Sequence, residues 1–191
     1  MAQERLSYAY GTSSQPLLGM TIGAKFDQAC QQYAEQDAVI SVHQNVRLSY
    51  RQLQAQVNAF ACSLLKLGLQ KGDRLAIWSP NCVEWTITQF AAFKAGIILV
   101  NLNPAYKSSE LEYVLNKVSC KALVIASQFK SSNYQEILTK IAPEITQSTS
   151  KLVSAKRLPH LKHIIKIDHE AHAGIRARAR AALPVGLPPR R

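Results

Sequence analysis

A chain of 191 residues with 47% hydrophobic and 18% charged side chains can bury a core and is too apolar to stay unfolded through charge and hydration, so disorder throughout is excluded. The formal charge of +11 suggests a nucleic-acid or acidic-membrane partner, but residues 1–150 hold 13 Lys/Arg against 10 Asp/Glu while residues 151–191 hold 10 against 2; the body is ordinary and only the tail is basic. The most apolar stretch, residues 90–100, is interrupted by Lys94 and falls far short of the roughly 20 residues that span a bilayer, which excludes a membrane span there.

A polar lead-in, Gly11-Thr12-Ser13-Ser14-Gln15-Pro16, precedes a helical pattern through Phe26, Ala29, Cys30 and Tyr33. Residues 38–43 suit a strand, Gln44-Asn45 a turn and Val46-Arg47-Leu48 a second strand. Ser49-x-x-Gln52 is a capping box for a helix carrying Leu53, Val57, Phe60, Leu64 and Leu67 on one face, closed by Gly68.

From Lys71 the pattern alternates. Leu75-Ala76-Ile77-Trp78 and Ile97-Ile98-Leu99-Val100 are short continuous apolar runs of the kind found in buried parallel strands, and residues 122–126 form a third. Between them lie two helices, one capped at Asn81-x-x-Glu84 with Val83, Ile87, Phe90 and Ala91 inward and stopped by Gly96. The other is capped at Ser109-x-x-Glu112 with Leu111, Val114, Leu115 and Val118 inward. A further helix over residues 134–141 ends at Pro143, residues 148–156 read as a loop, and Ile164-Ile165-Lys166-Ile167 is the last apolar run. Strand, helix and strand repeat with right-handed crossovers, which predicts an α/β fold with a doubly wound, mostly parallel sheet and flanking helices.

Beyond Asp168 the composition shifts to Ala, Arg, Gly and Pro, so the chain divides into a folded portion, residues 1–170, and a basic tail, residues 171–191. The tail has no sustained apolar periodicity and ends among prolines; it is expected to be disordered and to derive from a frameshift or a fused segment, with a natural basic extension as the alternative. Cys30, Cys62, Cys82 and Cys120 form no CxxC pair and read as reduced core thiols. Met1-Ala2-Gln3-Glu4-Arg5 leads into no apolar run, and the early acid argues against a secretory or transit peptide; the expected location is cytoplasmic.

A parallel α/β sheet directs attention to phosphate-binding glycine loops, but Ser79-Pro80-Asn81 comes after the first buried strand without a glycine, and no GxxxxGK[ST] occurs. His160, His163, His169 and His172 with Asp168 and Glu170 have the residue types of a metal site; their loose spacing favours solvated side chains. Arg176, Arg178 and Arg180 alternate with alanine and lack interleaved aromatics, a pattern that does not single out nucleic acid. Trp78, Trp85 and Tyr106 have the chemistry to line a pocket, although aromatics in apolar runs are more often core.

The run Lys71-Gly72-Asp73-Arg74-Leu75-Ala76-Ile77-Trp78-Ser79-Pro80-Asn81, then Glu84-Trp85, Lys94-Ala95-Gly96 and Asn101-Leu102-Asn103-Pro104-Ala105-Tyr106, resembles the adenylate-forming (AMP-dependent synthetase/ligase) superfamily in order and spacing. Leu6-Ser7-Tyr8, Pro16-Leu17-Leu18-Gly19 and Ser109-Glu110-Leu111-Glu112-Tyr113-Val114-Leu115 are similar to its medium-chain fatty-acyl-CoA synthetase branch. The resemblance covers residues 6 to about 168 and implies the first part of that family's large N-terminal domain. It also implies a two-step reaction in which a fatty acid and ATP form an acyl-adenylate, assisted by Mg2+, and coenzyme A then displaces AMP. The phosphate loop ending in Pro-Lys, the later nucleotide motifs and the C-terminal lysine of that family do not occur here, and Ser148-Thr149-Ser150-Lys151 lacks the glycine and proline of such a loop. No catalytic, cofactor-binding or metal residue is therefore assigned, and the expectation is an N-terminal portion of a fatty-acid–CoA ligase, inactive alone. The alternative is a non-catalytic binding module that keeps the fold. Neither reading includes nucleic acid or a transmembrane segment.

Overall fold

A computed structural model describes residues 11, 14–15, 17–147 and 152–167 of the chain. The expected tail, residues 171–191, lies outside the described residues.

Helix α1 (Ile22–Gln32) starts where Thr21 accepts the Ala24 amide, and after it comes the antiparallel hairpin β1 (Asp37–Ser41) and β2 (Val46–Ser49). The predicted capping box at Ser49 and Gln52 is present with both bonds, so α2 (Tyr50–Lys66) begins on schedule and buries Leu53, Val57, Phe60 and Leu64. Strand β3 (Arg74–Trp78), α3 (Val83–Ala95), β4 (Ile98–Asn101), α4 (Ser108–Lys117) and β5 (Ala122–Ile125) then alternate as expected. A two-residue hairpin, β6 (Gln128–Phe129) with β7 (Ser132–Asn133), leads into α5 (Tyr134–Ile141); α6 (Glu144–Gln147) and β8 (His163–Lys166) complete the described fold.

The central sheet is wholly parallel, in the order β4-β3-β5-β8. From β3 the chain steps outward to β4 through α3, then returns across β3 to β5 through α4, which is the doubly wound pattern. Alternation along β3 sends Leu75 and Ile77 into one core with α1, α2, α3 and the β1/β2 hairpin, and Ala76 and Trp78 into a second core with α4 and α5. Strand β5 divides likewise, Ala122 and Val124 to the first core and Leu123 and Ile125 to the second. All four of its residues are buried because both sheet faces are covered.

Several expectations need correction. The run at residues 97–100 is not a buried strand: β4 is the sheet edge, bonded on one side only, and Ile98 is 53% exposed. Asn81 does not cap α3, because Cys82 holds the cap position and the Val83 amide is accepted by Gln44 from the hairpin turn. The α4 box is displaced as well: the helix begins at Ser108, and Glu110 accepts the Lys107 amide at 3.2 Å. Cys62 is exposed rather than a core thiol, since it lies outside the buried stripe of α2; Cys30 and Cys120 are buried and Cys82 is half-buried.

Candidate functional site

In a doubly wound sheet, ligands bind beyond the carboxyl ends of the strands near the switch of winding direction, here between β3 and β5. The chain leaves β3 through Ser79, whose hydroxyl donates to the Pro80 carbonyl at 2.8 Å and lies 3.4 Å from the Cys82 sulfur. The start of α3 is the place where a phosphate would meet free amides. It is already filled. Gln44 Oε1 accepts the Val83 amide at 2.8 Å and the Ser41 hydroxyl at 2.9 Å, while Gln44 Nε2 donates to the Glu84 carboxylate at 2.9 Å. A fixed amide oxygen and a carboxylate at that helix start disfavour an anion, which agrees with the missing glycine loop.

The Asn101–Tyr106 motif is fastened from beneath. Trp78 Nε1 donates to the Asn103 carbonyl at 3.1 Å, and the Tyr134 hydroxyl donates to the Pro104 carbonyl at 2.8 Å. The two rings stack with centroids 3.7 Å apart and 16° between planes, a geometry worth about 0.5–1.5 kcal/mol beyond burial alone. Burial pushes the Tyr134 phenol up to about 12, so it serves as a neutral donor. Lys107 Nζ donates to the Ser132 hydroxyl at 2.5 Å and ties the loop to the β6/β7 hairpin.

At the opposite, amino end of β3, the Lys71–Arg74 motif is a set of backbone fasteners. Gly72, at φ 87°, donates its amide to the Gly96 carbonyl, and the Asp73 carboxylate accepts the Gln70 amide and pairs with Lys121 at 2.6 Å. Arg74 donates to the carbonyls of Val118 at 2.6 Å, Ser119 at 3.0 Å and Gly72 at 3.2 Å. The Lys71 side chain lies against Gly96, and Lys94 pairs with Asp27 at 2.6 Å. Neither lysine faces a phosphate cradle.

Trp78, Trp85 and Tyr106 do not converge. Trp78 and Tyr106 belong to the α4/α5 core and Trp85 to the α1/α2/α3 core on the other sheet face. His160 is exposed and His163 half-buried, with its imidazole pKa lowered by burial and then by the Lys121 charge. Among the described residues no group of three His, Cys, Asp or Glu could hold a metal ion. His169, His172, Asp168, Glu170, Arg176, Arg178, Arg180 and the Ser148-Thr149-Ser150-Lys151 stretch lie outside the described residues.

Sequence reasoning missed an open crevice of about 600 Å3 beyond the carboxyl ends of β5 and β8, lined by Ser127, Gln128, Asn133, Glu136, Lys140 and Lys166 among others. Its lining mixes polar and apolar surface, with two ammonium groups and one carboxylate from the residues named, and these residues include no His or Cys to serve as base or nucleophile. The sequence signals for it were the helical pattern over residues 134–141 and the apolar run Ile164-Ile165-Lys166-Ile167, neither of which gave a sign of facing the other.

The scaffold has close relatives of known kind. The mitochondrial medium-chain acyl-CoA ligase ACSF2 of Mus musculus is 43% identical over 163 residues, 85% of this chain and 26% of that protein. Its counterpart in Danio rerio is 38% identical over 164 residues, 86% of this chain and 27% of that protein. The chain thus spans about a quarter of the length of these curated relatives. Among solved structures, an anthranilate CoA ligase, AuaEII, in complex with anthranoyl-AMP superposes with a TM-score of 0.68 at 22% identity, over 87% of this chain and 28% of that one. A fatty acyl CoA synthetase of Mycobacterium tuberculosis gives 0.64 at 23%, over 76% of this chain and 26% of that one, and both likenesses concern the fold. The sequence profile of the AMP-binding enzymes matches residues 26–183; with that match added to the fold and the motifs that shape it, the chain belongs to the AMP-binding enzyme family, the adenylate-forming enzymes.

Proposed function

We propose that these residues form part of the N-terminal scaffold of an ATP-dependent medium-chain fatty-acid–CoA ligase and do not turn over substrate by themselves. The observation that carries this reading is the 43% identity to a medium-chain acyl-CoA ligase along 163 residues, 85% of this chain. In the complete enzyme, fatty acid, ATP with Mg2+ and coenzyme A would be the reactants. The described residues do not themselves fit a triphosphate: α3 starts on Gln44 and Glu84, Lys94 is paired with Asp27, and Lys71, exposed, stands before β3 at the amino end of the sheet. Displacing pyrophosphate requires preorganised donors around the phosphoryl oxygens, and that requirement is the reason for expecting no turnover.

The test is fatty-acid-dependent exchange of labelled pyrophosphate into ATP. The 191-residue chain is expected to stay at blank, and the same chain joined to the remaining length of a medium-chain ligase relative is expected to exchange. Exchange by the chain alone would overturn the scaffold reading; failure of the joined enzyme on fatty acids would reject the substrate class. A cytoplasmic location is likewise proposed on the unpaired thiols, while the mammalian relatives carry a mitochondrial designation; fractionation of cells expressing the tagged chain separates the two.

A further inference from the structure

Two groups of large apolar side chains stand out on the described surface. Leu17, Leu18, Met20 and Ile22 are 59%, 65%, 45% and 57% exposed within six consecutive residues, and Ile40 and Val42 are 54% and 88% exposed on the hairpin. They sit at opposite ends of α3. Gly23 lies against Lys94 in the last turn of α3, whereas the hairpin tip reaches its first residue through Gln44 and Val83. Thirteen helical residues separate those ends by about 20 Å.

The two patches differ in their electrostatic setting. Beside the first, Lys25 projects from the opening turn of α1, and Lys71 lies on Gly96, two residues past the lysine that Gly23 touches. The acid nearest in the chain, Asp27, is neutralised by Lys94. Beside the second, the Glu84 carboxylate supplies negative charge, while Asp37 is neutralised by Arg47. Apolar side chains flanked by uncompensated ammonium groups match the chemistry of an anionic bilayer surface, where hydrocarbon insertion and headgroup attraction act together.

We propose that residues 17–22 dock the chain peripherally on anionic lipid surfaces, with Leu17, Leu18, Met20 and Ile22 entering the interface and Lys25 and Lys71 facing the headgroups. The segment lies in the interface and does not span it, consistent with the absence, among the described residues, of a helix long and apolar enough to cross a membrane. This reading is independent of the proposed ligase activity.

The experiment is flotation of the full 191-residue chain with vesicles of phosphatidylcholine alone or mixed with phosphatidylglycerol, at low and high salt. Binding is expected on the anionic vesicles, weakened by salt, and about tenfold or more lower in a Leu17→Ser, Leu18→Ser, Met20→Ser variant. Lys25→Glu with Lys71→Glu should reduce binding to the anionic vesicles selectively. Ile40→Ser with Val42→Ser should leave it unchanged, which separates docking from a general effect of apolar exposure. No binding, binding untouched by the triple substitution, or equal loss in the hairpin variant would each overturn the proposal. So would a dimer in sedimentation that the triple variant converts to monomer without any vesicle binding, since the patch would then serve a second copy.

Discussion

Replacing Arg74 by methionine tests the reading of the Lys71–Arg74 motif as a fastener. The guanidinium satisfies two carbonyls at the end of α4, Val118 and Ser119, and also the Gly72 carbonyl in the turn before β3. Methionine keeps the length of the aliphatic stem and removes every donor. Bonds from a charged donor are worth about 1.5–3 kcal/mol each when buried, but Arg74, Val118 and Ser119 are only half-buried, so water recovers part of the loss and about 2–3 kcal/mol is expected. For a domain of this size that corresponds to a fall in Tm of about 5–10 °C. Arg74→Lys retains the charge without the planar fork and should lose about half as much. Urea unfolding followed by Trp fluorescence reads the change, because Trp78 is fully buried in the native state. A methionine variant within about 1 °C of the parent would mean that water replaces the guanidinium at no cost, and the motif would need another explanation.

Thr88 offers the opposite case: its hydroxyl is fully buried in α3 without a hydrogen-bond partner, so Thr88→Val should raise stability by about 1 kcal/mol in the same urea assay. Acid should destabilise the chain through Asp27 and Asp73. Burial raises both carboxyl pKa values, but hydrogen bonds and charge from Lys94 and Gln54 on the first, and from Lys121, the Gln70 amide and Arg74 on the second, leave each below its ordinary 3.8. Their contribution is therefore complete above about pH 5 and disappears as pH falls through 3.8 and below; Asp27→Asn and Asp73→Asn should flatten that part of the stability profile. With a thiol reagent under native conditions Cys62 should react first, and Cys120, whose thiol burial pushes up to about 11, only on unfolding; rapid native labelling of Cys120 would contradict its place in the core.

Much of this fold was legible because local signals and tertiary roles coincide. Ser49 and Gln52 carry their capping box within four residues, Gly68 and Gly96 stop their helices at φ 89° and 69°, and β5 is apolar throughout because both faces are covered. Strand β4 looks the same in sequence, yet it lies at the edge; an apolar run does not disclose how many neighbours a strand will have. The α3 cap was invisible for a related reason, since Gln44 is 39 residues away from the amide it accepts. The β6/β7 hairpin was missed because Lys130, not glycine or asparagine, takes the left-handed turn position at φ 51°. Of the candidate aromatics, the sequence identified the types but had no means of showing that Trp85 faces away from Trp78 across the sheet.

The division of the sheet into two cores also has a consequence in time. The first core draws its fully buried residues almost wholly from residues 26–97, with Ala122, Val124 and Ile165 from later in the chain, whereas the second is built mainly from residues C-terminal to β4. On a ribosome the α1/α2/α3 side can close while the other face of β3 and β4 is still bare, with Ala76 and Trp78 uncovered until α4, β5 and α5 emerge. At about 5–20 residues per second that interval lasts several seconds, long enough for a chaperone or a neighbouring nascent chain to meet it. A translational pause set so that Asn101 has emerged while α4, β5 and α5 have not should therefore increase aggregation of this chain, whereas a pause set before β3 has emerged should not.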